Sequence, residues 1–195
     1  MGWFACKFRT VAQSVTHGVE MMSVRVMKEA DIAAVSAIRV AGWKAAYAGI
    51  VPQPYLDGMR AEKDAERCRG RFARSGGQVM DLVAVDDRSE VLGWACLGPY
   101  RGTEAEHALG ELYALYVQPS LIGTGVGRTL LNAVNTHAAA RGFGTLLLWV
   151  FRNNLRARRF YELAGYSADG AVQVDEYDGV LLSEVRYRRT VPDVI

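Results

Sequence analysis

Residues 115–131, LYVQPSLIGTGVGRTLL, carry glycines at every second position from 123 to 127. An apolar run precedes them. An amphipathic run follows, with Leu130, Leu131, Val134 and Ala138 on one stripe. That order reads as strand, loop and helix. Gly123, Gly125 and Gly127 bare the backbone and permit positive φ, so several N–H groups can converge on one point. At a helix amino-terminus those donors, helped by the helix dipole, form an anion site. A pyrophosphate suits such a site. A second reading, in which the glycines serve only tight strand–helix packing, stays open from spacing alone. A dinucleotide fingerprint needs glycine at position 128, where the chain has Arg128. No G-x-x-x-x-G-K-[ST] run occurs either.

The flanking chain gives the rest of the architecture. Residues 23–27 alternate as a strand, and Glu29, Ala30 and Asp31 open a helix with Ile32, Val35 and Ile38 on one face. A second amphipathic stretch holds Trp43 and Tyr47, Gly49 breaks it, and Pro52 and Pro54 mark a loop. Residues 61–75 read as a polar surface helix. Strands are expected at 79–85, 91–97 and 107–117, the first two joined by a tight turn that favours antiparallel pairing. After the glycine loop and its helix, Gly142 stands where a carboxy-terminal cap belongs. Residues 145–150 (TLLLWV) suit a strand buried on both faces. Asn153 or Asn154 caps a short helix ending at Gly165, and strands near 166–174 and 181–189 close the chain. The expectation is one α/β domain, a mixed sheet with helices on both sides.

Composition removes several classes of function. Half of the 195 residues are hydrophobic, enough for a sizeable core. The net charge of +2 supplies no global drive toward nucleic acid or membrane. The three cysteines and three histidines are scattered without metal spacing, so no metal is expected. The cysteines read as reduced thiols of a cytoplasmic protein. Residues 1–20 lack an apolar signal core and read as a loosely held tail before a domain at 21–195.

The I-G-x-G-x-G run at 122–127 resembles the pyrophosphate loop of the GCN5-related N-acetyltransferases (GNAT), commonly Q/R-x-x-G-x-G/A. Ile122 departs from the usual Gln or Arg. A second segment resembles the family's N-x-x-A-x-x-F-Y-x-x-x-G-F, carried here by Asn154, Ala157, Phe160, Tyr161, Gly165 and Tyr166. The front helices and last strand are also similar, so the resemblance spans about residues 23–189. It implies a largely antiparallel central sheet flanked by helices on both faces. It also implies direct acetyl transfer from acetyl-CoA to a primary amine. The acceptor would be a small molecule or peptide, with a homodimer compatible. A non-catalytic acyl-CoA-binding sensor is the alternative.

The same resemblance assigns roles. Leu115, Tyr116 and Val117 would pair through their backbone with pantetheine, and an N–H near Val117 would polarise the thioester. Ile122, Gly123, Thr124, Gly125, Val126, Gly127 and Arg128 would hold the pyrophosphate, with Arg156 and Arg158 as further phosphate contacts. Asn154 would bond the pantetheine or pyrophosphate region. Tyr161 would protonate the departing thiolate. Read from its setting in an apolar strand, Glu111 is the candidate base, and a carboxylate that only holds a cationic substrate is the other reading. Glu111 lies six residues before Val117, an even spacing that puts both on one face of an unbulged strand. From the residues themselves, Tyr113 beside Glu111, with Trp43 and Tyr47 four apart on a helix, would line the acceptor pocket, while a Trp43–Tyr47 pair that is simply core is the other reading.

Overall fold

The computed structural model describes residues 22–74, 76–102 and 108–192. The tail expected at residues 1–20 lies outside them, as does His107 at the start of the third expected strand. Seven strands form one sheet: β1 (Ser23–Val26), β2 (Met80–Val85), β3 (Val91–Pro99), β4 (Leu109–Val117), β5 (Thr145–Phe151), β6 (Ser167–Tyr177) and β7 (Val180–Thr190). Their order is β1-β2-β3-β4-β5-β7-β6. Every pairing is antiparallel except β4 with β5.

Helices α1 (Ile32–Ala46) and α3 (Ala61–Arg74) cover one face, and α4 (Val126–Ala140) and α5 (Leu155–Leu163) the other. On the first face Ile32, Val35 and Ile38 of α1 meet Val83, Val85 and Trp94 of the sheet. On the second, Val126, Leu130, Leu131, Val134 and Ala138 of α4 pack on Leu82, Leu92, Leu112 and Leu148. The 3.6-residue period of α4 supplies this stripe directly.

Two local readings are corrected and one is narrowed. Trp43 lies inside α1 and Tyr47 is its carboxy-terminal cap, so one helix replaces the two stretches. The Pro52–Pro54 segment, read as a loop, starts a short helix α2 (Gln53–Gly58). A proline in the first turn forfeits no helical bond, because that N–H has no intrahelical acceptor. Of the two asparagines, Asn154 is the cap of α5: its Oδ1 accepts from the Ala157 N–H at 3.1 Å.

A candidate acyl-donor cleft and its acceptor face

β4 pairs with β5 only over Leu109–Glu111. Beyond that point the two strands part, while β4 stays paired with β3 to its end. Burial records the split. Residues 109–112 are buried, whereas 113–117 are all half-buried although β4 is a central strand. A central strand that touches solvent lines a cleft, and its β5-facing backbone has no strand partner there among the described residues. A peptide-like arm can add to such an edge.

The glycine loop closes the end of this cleft. Gly123 and Gly125 take φ of +93° and +102°, a region L side chains rarely adopt. Gly125 caps α4 in that left-handed form. The first helical bond is Thr129 N–H to Gly125 O at 3.0 Å. The N–H groups of Val126, Gly127 and Arg128 therefore have no backbone acceptor, as at any helix start. Gly93, a residue the sequence reading passed over, lets α4 descend onto β3. A Cβ there would lie 2.9 Å from both Leu130 Cδ1 and Tyr116 O. Ile122 and Thr124 are exposed around the loop, and Thr124 Oγ1 donates to Leu121 O at 2.7 Å.

Of the three arginines read as phosphate contacts, Arg128 and Arg156 are exposed on the first turns of α4 and α5. Arg158 is committed elsewhere. It donates to Tyr187 Oη at 3.0 Å and to Arg152 O at 3.1 Å, tying α5 to β7. Asn154 is buried and spends its oxygen on the cap, which leaves its amide nitrogen without a partner among the described residues.

Tyr161 is buried on the α4 side, edge-on to Phe160 and Tyr166. Burial pushes its phenol well above 10, and the charges of Tyr166 and Tyr116 add to the shift. Its hydroxyl has no hydrogen-bond partner among the described residues.

Glu111 departs from expectation in one respect. The β3–β4 register passes from Cys96↔Ala114 to Leu97↔Leu112, so Tyr113 is an extra, bulged residue. Leu112, Leu115 and Val117 consequently face α4, whereas Tyr113, Ala114 and Tyr116 face α1. Glu111 lies with Tyr113, on the opposite face from Val117, because the bulge cancels the even spacing. Its buried carboxylate is held by Arg101. The Arg101 Nε donates to both oxygens at 3.2 Å, its backbone N–H donates to Oε2 at 3.1 Å, and a terminal nitrogen bonds Oε1. The Arg101 guanidinium also lies 4.3 Å from the centre of the Tyr113 ring.

The face that carries Glu111 is aromatic. Trp43 and Tyr47 meet edge-on at 4.8 Å, as their spacing suggested, and Phe151, Tyr55 and Tyr177 join them. Tyr47 Oη lies 3.3 Å from Tyr116 Oη, and the buried Trp43 indole N–H faces Tyr116 without completing a hydrogen bond. Burial raises the Tyr47 and Tyr116 phenols. Next to this cluster a cleft of about 150 Å³ is lined by Ile50, Phe151, Arg152, Asn153, Leu182 and neighbouring backbone. Among the described residues no trio of His, Cys, Asp or Glu is grouped to hold a metal ion. None of their helices is long and apolar enough to cross a membrane.

Residues 43–166 match the Acetyltransferase (GNAT) family. The chain belongs to that family. This GNAT chain is 31% identical over 166 residues to YuaI of Bacillus subtilis, an uncharacterized N-acetyltransferase, covering 85% of this chain and 91% of the relative. A mycothiol acetyltransferase of Kocuria rhizophila is 36% identical over 84 residues, 43% of this chain and 28% of that longer protein. Among solved structures, the PaiA N-acetyltransferase of Thermoplasma acidophilum with coenzyme A has a TM-score of 0.67 at 23% identity. That match covers 87% of this chain and 99% of that one. YncA of Salmonella typhimurium with acetyl-CoA has a TM-score of 0.66 at 20% identity, covering 90% and 96%. These structures share the GNAT fold described above.

Glu184, Phe151, Tyr177 and Arg101, which the structure places beside the expected residues of this face, do not stand out in the sequence. The period-2 alternation of LLSEVRYRR puts Glu184 on a face with Leu182 and Arg186, but which face only the sheet order reveals.

Proposed function

We propose that this GNAT chain transfers an acetyl group directly from acetyl-CoA to a primary amine. The observation that carries the reading is the parting of β4 from β5, which opens toward the bare amino-terminus of α4. Two of the neighbouring structures were solved with coenzyme A or acetyl-CoA, in keeping with that cleft.

The free backbone of Leu115, Tyr116 and Val117 pairs with the pantetheine arm, and the amide of Asn154 donates toward it. The unpaired N–H groups at the start of α4 receive the pyrophosphate. Arg128 and Arg156 add charge at the rim. A backbone N–H near Val117 polarises the thioester carbonyl, a contribution of about 3–4 kcal/mol for one such donor in acyl transfer. The amine nitrogen attacks the carbonyl carbon, the C–S bond breaks, the Tyr161 hydroxyl hands its proton to the sulfur, and the proton that the nitrogen sheds on becoming an amide restores that hydroxyl. Glu111 takes the ammonium proton through water once Arg101 releases an oxygen. Trp43, Tyr47 and Tyr113 wall the acceptor side. The chain acts in the cytoplasm and needs no metal.

The occupied oxygens of Glu111 favour one second reading, an acyl-CoA-binding protein without turnover. Thermal unfolding with acetyl-CoA, CoA, ATP and NADH in parallel tests the donor. A ligand at ~100 times its Kd adds about 2.7 kcal/mol, roughly 5–10 °C for a chain of this size. Both CoA species are expected to shift the transition, and ATP and NADH are not. Absence of a shift with both CoA species overturns the proposal. Release of thiol with an amine panel then separates the enzyme from the sensor.

A further inference from the structure

Glu184 stands at the centre of a row that crosses three strands. Its register partners are Phe151 on β5 and Gln173 on β6. Directly opposed residues share a sheet face, so Glu184 lies beside the Phe151 ring on the aromatic face. Leu182, two residues away on the same strand, packs into the cluster of Trp43, Leu56 and Phe151. Gln173 Nε2 donates to Glu184 Oε2 at 2.6 Å. No cationic side chain among the described residues forms an ion pair with it. Nearby carboxylates are differently placed: Glu111 is spoken for by Arg101, and Asp169 by Arg186 at 2.8 Å.

Glu184 is half-buried. Its carboxyl is raised above the ordinary carboxylate range, chiefly by burial and further by Asp175 and Glu111, against the Gln173 donor and Arg101. Phe151, its register partner, meets the Tyr47 ring at 4.9 Å and the Tyr177 ring at 5.6 Å, so the carboxylate lies at the border of the aromatic cluster. A half-buried carboxylate with no ion-pair partner among the described residues, set beside aromatic rings, calls for a cation.

We propose that Glu184 is the acceptor-binding carboxylate of this aromatic face, and that the acceptor is a cationic amine with no carboxylate beside the reacting nitrogen. The inference rests on the acetyl-transfer reading and narrows its substrate class. Phe151 and the Tyr47, Tyr116 and Tyr177 rings flank the ammonium while Glu184 and, toward the rim, Asp175 supply negative charge. A free α-amino acid brings its own carboxylate into that field and is repelled.

The test uses the full chain and a matched pair of amines, phenethylamine and phenylalanine, which differ only by that carboxylate. Released thiol gives KM and kcat, and thermal shift with CoA gives donor binding in the same preparations. Phenethylamine is expected to show a kcat/KM at least tenfold above phenylalanine. Glu184→Gln is expected to raise its KM at least tenfold and leave the CoA shift in place, with Glu184→Asp recovering part of the loss. Phenylalanine equal to or better than phenethylamine overturns the proposal. So does an unchanged amine KM in Glu184→Gln. A wild-type chain that fails to respond to CoA instead overturns the acetyl-transfer reading, and this assignment falls with it.

Discussion

Arg101 holds Glu111 by its side chain and by its own backbone N–H, so one residue satisfies both oxygens of a carboxylate that is almost fully buried. Removing one partner of such a pair leaves a buried charge short of donors. Arg101→Ala is expected to lower stability by about 1–3 kcal/mol, toward the small end because the Arg101 side chain is 63% exposed and its backbone donor remains. Adding Glu111→Gln should restore much of the loss by neutralising the orphaned charge. Chemical denaturation of the single and double variants measures the coupling; simple additivity of the two single changes would show that the pair is energetically idle.

The close approach at Gly93 fixes the height of α4 above the sheet. Gly93→Ala forces a methyl against Leu130 and the Tyr116 carbonyl, and the backbone oxygen cannot turn aside as a side-chain tip could. Overpacking of this kind costs about 1–3 kcal/mol. The displaced helix start should also weaken CoA binding severalfold. Thermal melting with and without CoA reads both effects, and an unchanged melt would show that α4 adjusts freely.

Burial holds the Tyr161 phenol well above 10. A group whose pKa is raised keeps its proton to higher pH, so the Tyr161 phenol stays protonated throughout the neutral range, though burial also makes it a weaker acid. Tyr161→Phe is expected to lower kcat by about 10²-fold or more with little change in the KM for acetyl-CoA. Wild-type turnover should show no alkaline fall attributable to this residue below about pH 10. A Phe variant with full turnover would remove Tyr161 from the chemistry.

Asp31 accepts from both terminal nitrogens of Arg25 at 2.7 and 2.8 Å and from the Lys28 N–H at 2.7 Å. The Arg25 bond is the largest influence and lowers the Asp31 pKa below its ordinary 3.8. A folded-state pKa below the unfolded one gives stability that is fully present above the unfolded value and is lost as pH falls through the folded one. Asp31→Asn should therefore cost about 1–3 kcal/mol at pH 7, and the gap should close below pH 3.8. Urea titrations at neutral and acid pH test the sign; a gap that widens on acidification would refute it.

What the sequence settled by itself is local. The positive φ of Gly123 and Gly125, an asparagine cap at 153 or 154 and the apolar stripe of α4 each depend on residues within a few positions of one another. Short-range sterics and hydrogen bonds decide such features, so a linear reading reaches them. The Trp43–Tyr47 contact is legible for the same reason. Even the short helix after Pro52 was within reach, because proline opens a helix as readily as it interrupts one.

The acceptor face was decided only in three dimensions. One bulged residue, Tyr113, reverses the side of β4 on which Glu111 lies relative to Val117, and a bulge arises from the pairing with β3 rather than from β4 alone. Glu184 meets Phe151 only because β7 inserts between β5 and β6. Arg101 finds Glu111 because the pairing of β3 with β4 sets Gly98 opposite Glu111. Sheet order and register are sums of many weak cross-strand contacts between distant segments. No single stretch of sequence encodes them, and with them come the Arg101–Glu111 ion pair and the place of Glu184 beside Phe151.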